Sequence, residues 1–193
     1  MTRSTFAIEH PPQGSVWFLD ENVPKLLHIP RTGGHARAAS LGFLARKGLV
    51  AVCPHNTRAS MVNGPVVCFL RDPVTRFLSA ARRLKTSPAA LFEARLRGKD
   101  RLTPAPELLL RDQSWWLDRD HVRLYQMEQM DRVWDYVLAD WGLEGEAHPL
   151  PAVGHADRNE SLGGLPEASP ELQRAIEREY DEDMEHWASA YEY

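Results

Sequence analysis

A chain of 193 residues with 43% apolar side chains has room for one ordinary domain and its core, which excludes a globally disordered protein. A net charge of −4 offers no broad field for nucleic acid, although a cleft can still hold a local anion site. Short, interrupted apolar runs, an opening MTRSTFAIEH without a secretory core, and only two cysteines (Cys53 and Cys68) predict a reduced, cytoplasmic setting away from membranes.

Residues 1–22 read as an irregular lead-in, and 23–193 as one domain. The segment VPKLLHIPRTGGHARAASLGFLARKG predicts a strand over 23–29, a tight loop over 30–34 and a helix over 35–47. Residues 49–53 read as a short buried strand. Residues 66–70 are apolar and β-prone; Asp72 as N-cap and Pro73 at the first helical position then start a helix. Strand followed by helix, twice, predicts an α/β domain with a central parallel sheet flanked by helices. Further along, helices are expected over 91–96, 107–117, 128–141 and 171–187, a strand over 121–126, and a long loop over 143–168. Gly142 is a plausible C-cap, and the acidic stretch 179–185 reads as the solvated face of the last helix.

Two places suit an anion. After the first strand, Gly33 and Gly34 permit close backbone approach, the following helix offers unpaired N–H groups, Arg31 brings charge, and Thr32 a hydroxyl. The GxxxxGK[ST] and GxGxxG spacings are both missing, and Gly-Gly after a strand is equally compatible with a structural turn. The flanking arginine, strand and helix favour function. The second place is Arg71, at the carboxyl end of a strand, where open α/β sheets bind ligands. Ser79, on the helix face shared with Asp72, Arg76 and Arg83, is expected to face the same cleft. Arg82 and Arg83 read as solvated charges.

Together these units resemble the PAPS-dependent sulfotransferases, in particular their carbohydrate-type branch (PAPS is 3′-phosphoadenosine 5′-phosphosulfate). LLHIPRTGG is similar to that family's 5′-phosphosulfate loop, usually IPKTGGTS, and FLRDPVTRFLSA to its 3′-phosphate strand and helix. HADRNESLGG and ELQRAIEREYDEDMEHW resemble its Asn-Ser element and its closing Tyr/Asp-containing helix. The resemblance touches most of 23–187. It implies a P-loop-like nucleotide-binding fold for a sulfotransferase-like domain 23–193, with PAPS as cofactor, PAP as product and no metal. By position, Arg31, Thr32, Gly33, Gly34 and His35 would wrap the 5′ end, and Arg71 and Ser79 the 3′-phosphate. Asn159 would meet the acceptor.

The sequence departs from the family at three places. Arg31 replaces the usual Lys, His35-Ala36 replaces Thr-Ser, and Arg158-Asn159-Glu160-Ser161 replaces the order Asn-Arg-Ser. Sulfuryl transfer to a hydroxyl needs a proton acceptor near neutral pKa. His55, in CPHNTR at a predicted strand end, matches the family's Gly-His position, with a surface-loop histidine as the competing account. Arg58 beside it would orient the acceptor, and Arg31 would stabilise charge during transfer. A saccharide or small hydroxylated metabolite is the expected acceptor. Two other readings fit the same residues: a non-catalytic nucleotide-binding or interaction protein, and a nucleotide-dependent phosphoryl transferase.

Overall fold

Parallel strands buried on both faces read as apolar runs, and two such runs build the centre of the molecule. The computed structural model describes residues 21–32, 44–45, 47–97, 104–118, 120, 122–144 and 164–190. Strands β1 (Lys25–Leu27), β2 (Ala51–Val52), β3 (Val66–Leu70) and β4 (Val122–Gln126) form one all-parallel sheet in the order β2-β1-β3-β4. Six helices are described: α1 (Pro73–Leu84), α2 (Pro88–Arg97), α3 (Pro104–Leu110), α4 (Met130–Asp140), α5 (Pro170–Glu179) and α6 (Asp181–Ser189). Among the described residues, no helix is long and apolar enough to cross a membrane.

Alternation along β3 divides the core. Val67 and Phe69, with Leu26 of β1 and Tyr125 of β4, pack against Met130, Val133, Trp134 and Val137 of α4. Val66, Cys68 and Leu70 face the other way, onto Trp116, Cys53 and the α6 residue Trp187. A third cluster joins α1 to α2, α3 and α5 through Phe77, Ala81, Leu91, Leu110 and Ile176. Cys53 and Cys68 are buried thiols, and burial pushes the Cys53 thiol up to about 12.

The start of α1 follows the sequence closely. Asp72 Oδ1 accepts from the Thr75 N–H at 2.7 Å, and Pro73 occupies the first turn. Elsewhere the expectations need correction. The helix expected over 107–117 stops at Leu110, and a 3-10 helix over Gln113–Trp116 follows. The helix expected over 171–187 breaks at Tyr180 (φ −117°, ψ 38°), whose hydroxyl donates to the Leu110 carbonyl at 2.8 Å. Three acids in succession, Asp181, Glu182 and Asp183, then begin α6, where negative charge meets the positive helix end. The acidic stretch is therefore not one solvated face: Asp183 is 1% exposed, and Glu179 pairs with Arg95 at 3.2 Å. The first strand is shorter than expected, and a 3-10 turn over Met127–Gln129 precedes α4.

Candidate functional site

Strand order decides where a ligand crevice opens. With β2 and β3 on opposite sides of β1, the loops leaving β1 and β3 diverge, and the crevice lies beyond their carboxyl ends. Arg31 and Arg71 follow these two strands. The chain turns at Pro30, Thr32 Oγ1 donates to the Ile29 carbonyl at 2.9 Å, and Arg31 takes a left-handed backbone, φ 70°. That conformation is costly for a residue with a Cβ.

Three arginines converge on this loop. Arg71 Nη1 donates to the Arg31 carbonyl at 3.3 Å, and Arg76 Nε donates to the Pro30 carbonyl at 3.2 Å. The Arg31 guanidinium turns toward α1, where Nε and Nη2 donate to Ser79 Oγ at 2.9 and 2.5 Å. Burial lowers the pKa of Arg31, and the charges of Arg82 and Arg83 add to the effect. Burial brings Arg71 down to about 10; Arg31 and Arg82 push the same way, against Glu128 and Asp72. Arg71 Nε is buried with no hydrogen-bond partner among the described residues. Such a charged donor costs about 1–3 kcal/mol or more until an acceptor reaches it, so the cluster suits an anion.

Arg31, Arg71 and Ser79 thus form one cluster. The resemblance had assigned Arg31 to one end of the cofactor and Ser79 to the other. Gly33, Gly34, His35 and Asn159 lie outside the described residues. Arg76, left open in sequence between a solvated charge and a cleft residue, is 2% exposed. Arg83 is exposed as expected, whereas Arg82 is half-buried and donates to the Gly164 carbonyl at 3.1 Å.

His55 is exposed, just past β2, and its ring centre lies 4.0 Å from that of His28 beyond β1, the two planes tilted by 45°. Its Nδ1 lies 3.1 Å from the His28 carbonyl, so Nδ1 carries the proton and the neutral imidazole keeps its lone pair on Nε2. Arg58 is less available than expected. Its Nε pairs with Asp118 at 2.9 Å and contacts the Trp115 carbonyl at 3.2 Å. The guanidiniums of Arg58 and Arg111 lie 5.0 and 4.2 Å from the Trp115 ring, while Trp116 is fully buried.

No protein-family model, curated protein or solved structure matches the chain. A shallow cavity of about 460 Å³, lined by Pro24, Pro65, Arg123 and Trp141, lies at the amino ends of the strands, away from the arginine cluster. Charge and an unsatisfied donor make the carboxyl end the better site for an anion.

Sequence reasoning missed Gln113 as part of the site; Trp116 reads there as core rather than cleft lining, and Asp183 is marked only by the resemblance of the closing helix. Gln113 is fully buried, and its amide brackets Arg71: Oε1 accepts the Arg71 N–H at 3.0 Å, and Nε2 donates to the Arg71 carbonyl at 2.9 Å. The Trp116 indole N–H donates to the His55 carbonyl at 2.7 Å. The succession of acids after Tyr180 was the available signal for Asp183, because it marks a helix start.

Proposed function

We propose that the chain is a PAPS-dependent sulfotransferase on a P-loop-like nucleotide-binding fold, moving a sulfuryl group to an acceptor hydroxyl. The observation that carries the reading is the meeting of Arg31 and Arg71 beyond β1 and β3, with Arg71 Nε buried and unanswered among the described residues. Arg71 and Ser79 would hold the 3′-phosphate. Arg31 and Thr32, with Gly33, Gly34 and His35 by resemblance, would hold the 5′ end. PAPS supplies the activated sulfuryl group. Arg31 stabilises oxygen charge as it develops, with a planar fork in place of a compact ammonium. His55 takes the acceptor proton at Nε2, with Nδ1 tied to the His28 carbonyl. Arg58 and Trp115, with Asn159 by resemblance, would border the acceptor, a saccharide or small hydroxylated metabolite.

Calorimetry with PAP, ATP and ADP tests the nucleotide half. PAP is expected to bind at least about tenfold more tightly than the other two, a gap of about 1.4 kcal/mol. No PAP binding ends this reading, and a preference for ATP transfers it to phosphoryl chemistry. Transfer from labelled PAPS, with His55→Ala beside wild type, tests the chemistry. Turnover is expected to fall about 10²–10⁴-fold with PAP affinity unchanged, and equal turnover would remove His55 as the base. One contact favours a second reading, nucleotide binding without catalysis: the Arg31 guanidinium lies on Ser79, at the 3′ side. PAP binding without transfer across an acceptor panel is its signature.

A further inference from the structure

The loops that end β2 and β3 carry His55 and Arg71, and both are tied to one buried carboxylate. Asp183, in the first turn of α6, accepts the backbone N–H of Gln113 at 2.6 Å and of Ser114 at 2.8 Å. These are the first N–H groups of the Gln113–Trp116 3-10 helix, its positive end, so a carboxylate from another element caps it. From that helix, the Gln113 amide brackets Arg71 and the Trp116 indole holds the His55 carbonyl. Arg76, buried nearby, donates to the Pro30 carbonyl, and the charge of Asp183 partly offsets the lowering of its pKa by burial.

We propose that Asp183 is a positioning residue of the anion site: through the Gln113–Trp116 turn, it fixes the loops that end β2 and β3 relative to one another. The proposal rests on the cluster being the nucleotide site, but its geometry can be tested without nucleotide. Asp183→Asn keeps the volume and removes the charge that Arg76 and the two N–H groups share. Amide hydrogen exchange on the full chain is the readout. A hub predicts that exchange at Arg71 and across residues 55–58 quickens together, by about tenfold or more, while Val67 and Phe69 of β3 stay protected. Ile176→Val, a core change between α1 and α5, serves as the control and leaves both segments unchanged.

Gln113→Met separates the branches: Arg71 loosens while 55–58 stays protected. It also keeps the question open to test if Asp183→Asn fails to fold, because a Gln113→Met variant with Arg71 exchange as in wild type overturns the proposal by itself. Unchanged exchange at both loops in folded Asp183→Asn overturns it too. PAP titration of the same variants then completes the test, with an affinity loss of about tenfold expected for each. Wild type that does not bind PAP would remove the proposed function, while the exchange result still decides the hub.

Discussion

Arg71 and Arg31 bring the same charge to neighbouring strand ends, yet they are held in opposite ways. Arg71 is fixed through its backbone. Gln113 takes both its N–H and its carbonyl, and the next residue, Asp72, caps α1 and gives its own N–H to Glu128 at 3.1 Å. Its side chain keeps a buried donor without a partner among the described residues. Arg31 is half-buried, its backbone is left-handed, and its guanidinium is spent on Ser79. A ligand arriving at Arg71 gains bonds that no described residue fills, whereas one arriving at Arg31 must share or replace those to Ser79. Preorganisation therefore favours Arg71 as the affinity-determining group.

The largest expected effect follows directly. Arg71→Met keeps the apolar stem and removes two charge-assisted bonds to phosphate, worth about 3 kcal/mol or about a hundredfold in PAP affinity. Thermal stability is expected to hold or rise, because a costly buried guanidinium is gone. Titration and melting curves of one sample check both. An affinity loss below about threefold, near 0.6 kcal/mol, would place the anion elsewhere. Arg31→Met is expected to cost about tenfold, since part of what a ligand gains there Ser79 already supplies. Equal losses at the two positions would erase the contrast. Ser79→Ala sharpens it further: freeing Arg31 while deleting one hydroxyl should shift affinity only about threefold in either direction.

The backbone half of the contrast has its own test. At φ 70° a Cβ is strained and glycine is not, so Arg31→Gly should be more stable than Arg31→Ala by about 1 kcal/mol in urea unfolding. Equal midpoints would mean that the loop relaxes out of the left-handed region once the guanidinium leaves Ser79.

The same two regions show what was legible in the sequence. The β3 side was readable because its signals are local: an apolar run, then Asp-Pro, a cap and a first-turn proline whose geometry needs no distant partner. Arg71 at the strand end followed from that. The contact of Arg31 with Ser79 was not readable, because it joins residues 48 apart through a left-handed turn that no motif announces. Nor was the Gln113 clamp, which depends on a helix ending at Leu110 where the apolar pattern continues to Leu117. Only the resemblance marks Asp183 in the sequence: in the run DEDMEH an acid reads as solvated, and the break at Tyr180 turns one of three inward.

Asp183 also sets the smallest expected effect, a slope with pH in the support beneath Arg71. Burial raises its carboxyl above the ordinary 3.8, ahead of the opposing pull of Arg76 and of the Gln113 and Ser114 N–H groups. The folded chain then holds this proton more tightly than the unfolded chain does. Between 3.8 and the raised folded value the native state carries more protons, so the stability from this group is full below that window and is lost as pH rises through it. Asp183→Asn has no such proton. Urea unfolding of both proteins in steps upward from pH 3.8 should show wild type losing ground to the variant and then a plateau. The opposite slope would mean that attraction to Arg76 outweighs burial, making Asp183 a carboxylate throughout. Arg71 would then rest on a paired charge, and the rigid side of the comparison would weaken in acid instead of losing its proton-linked stability as pH rises.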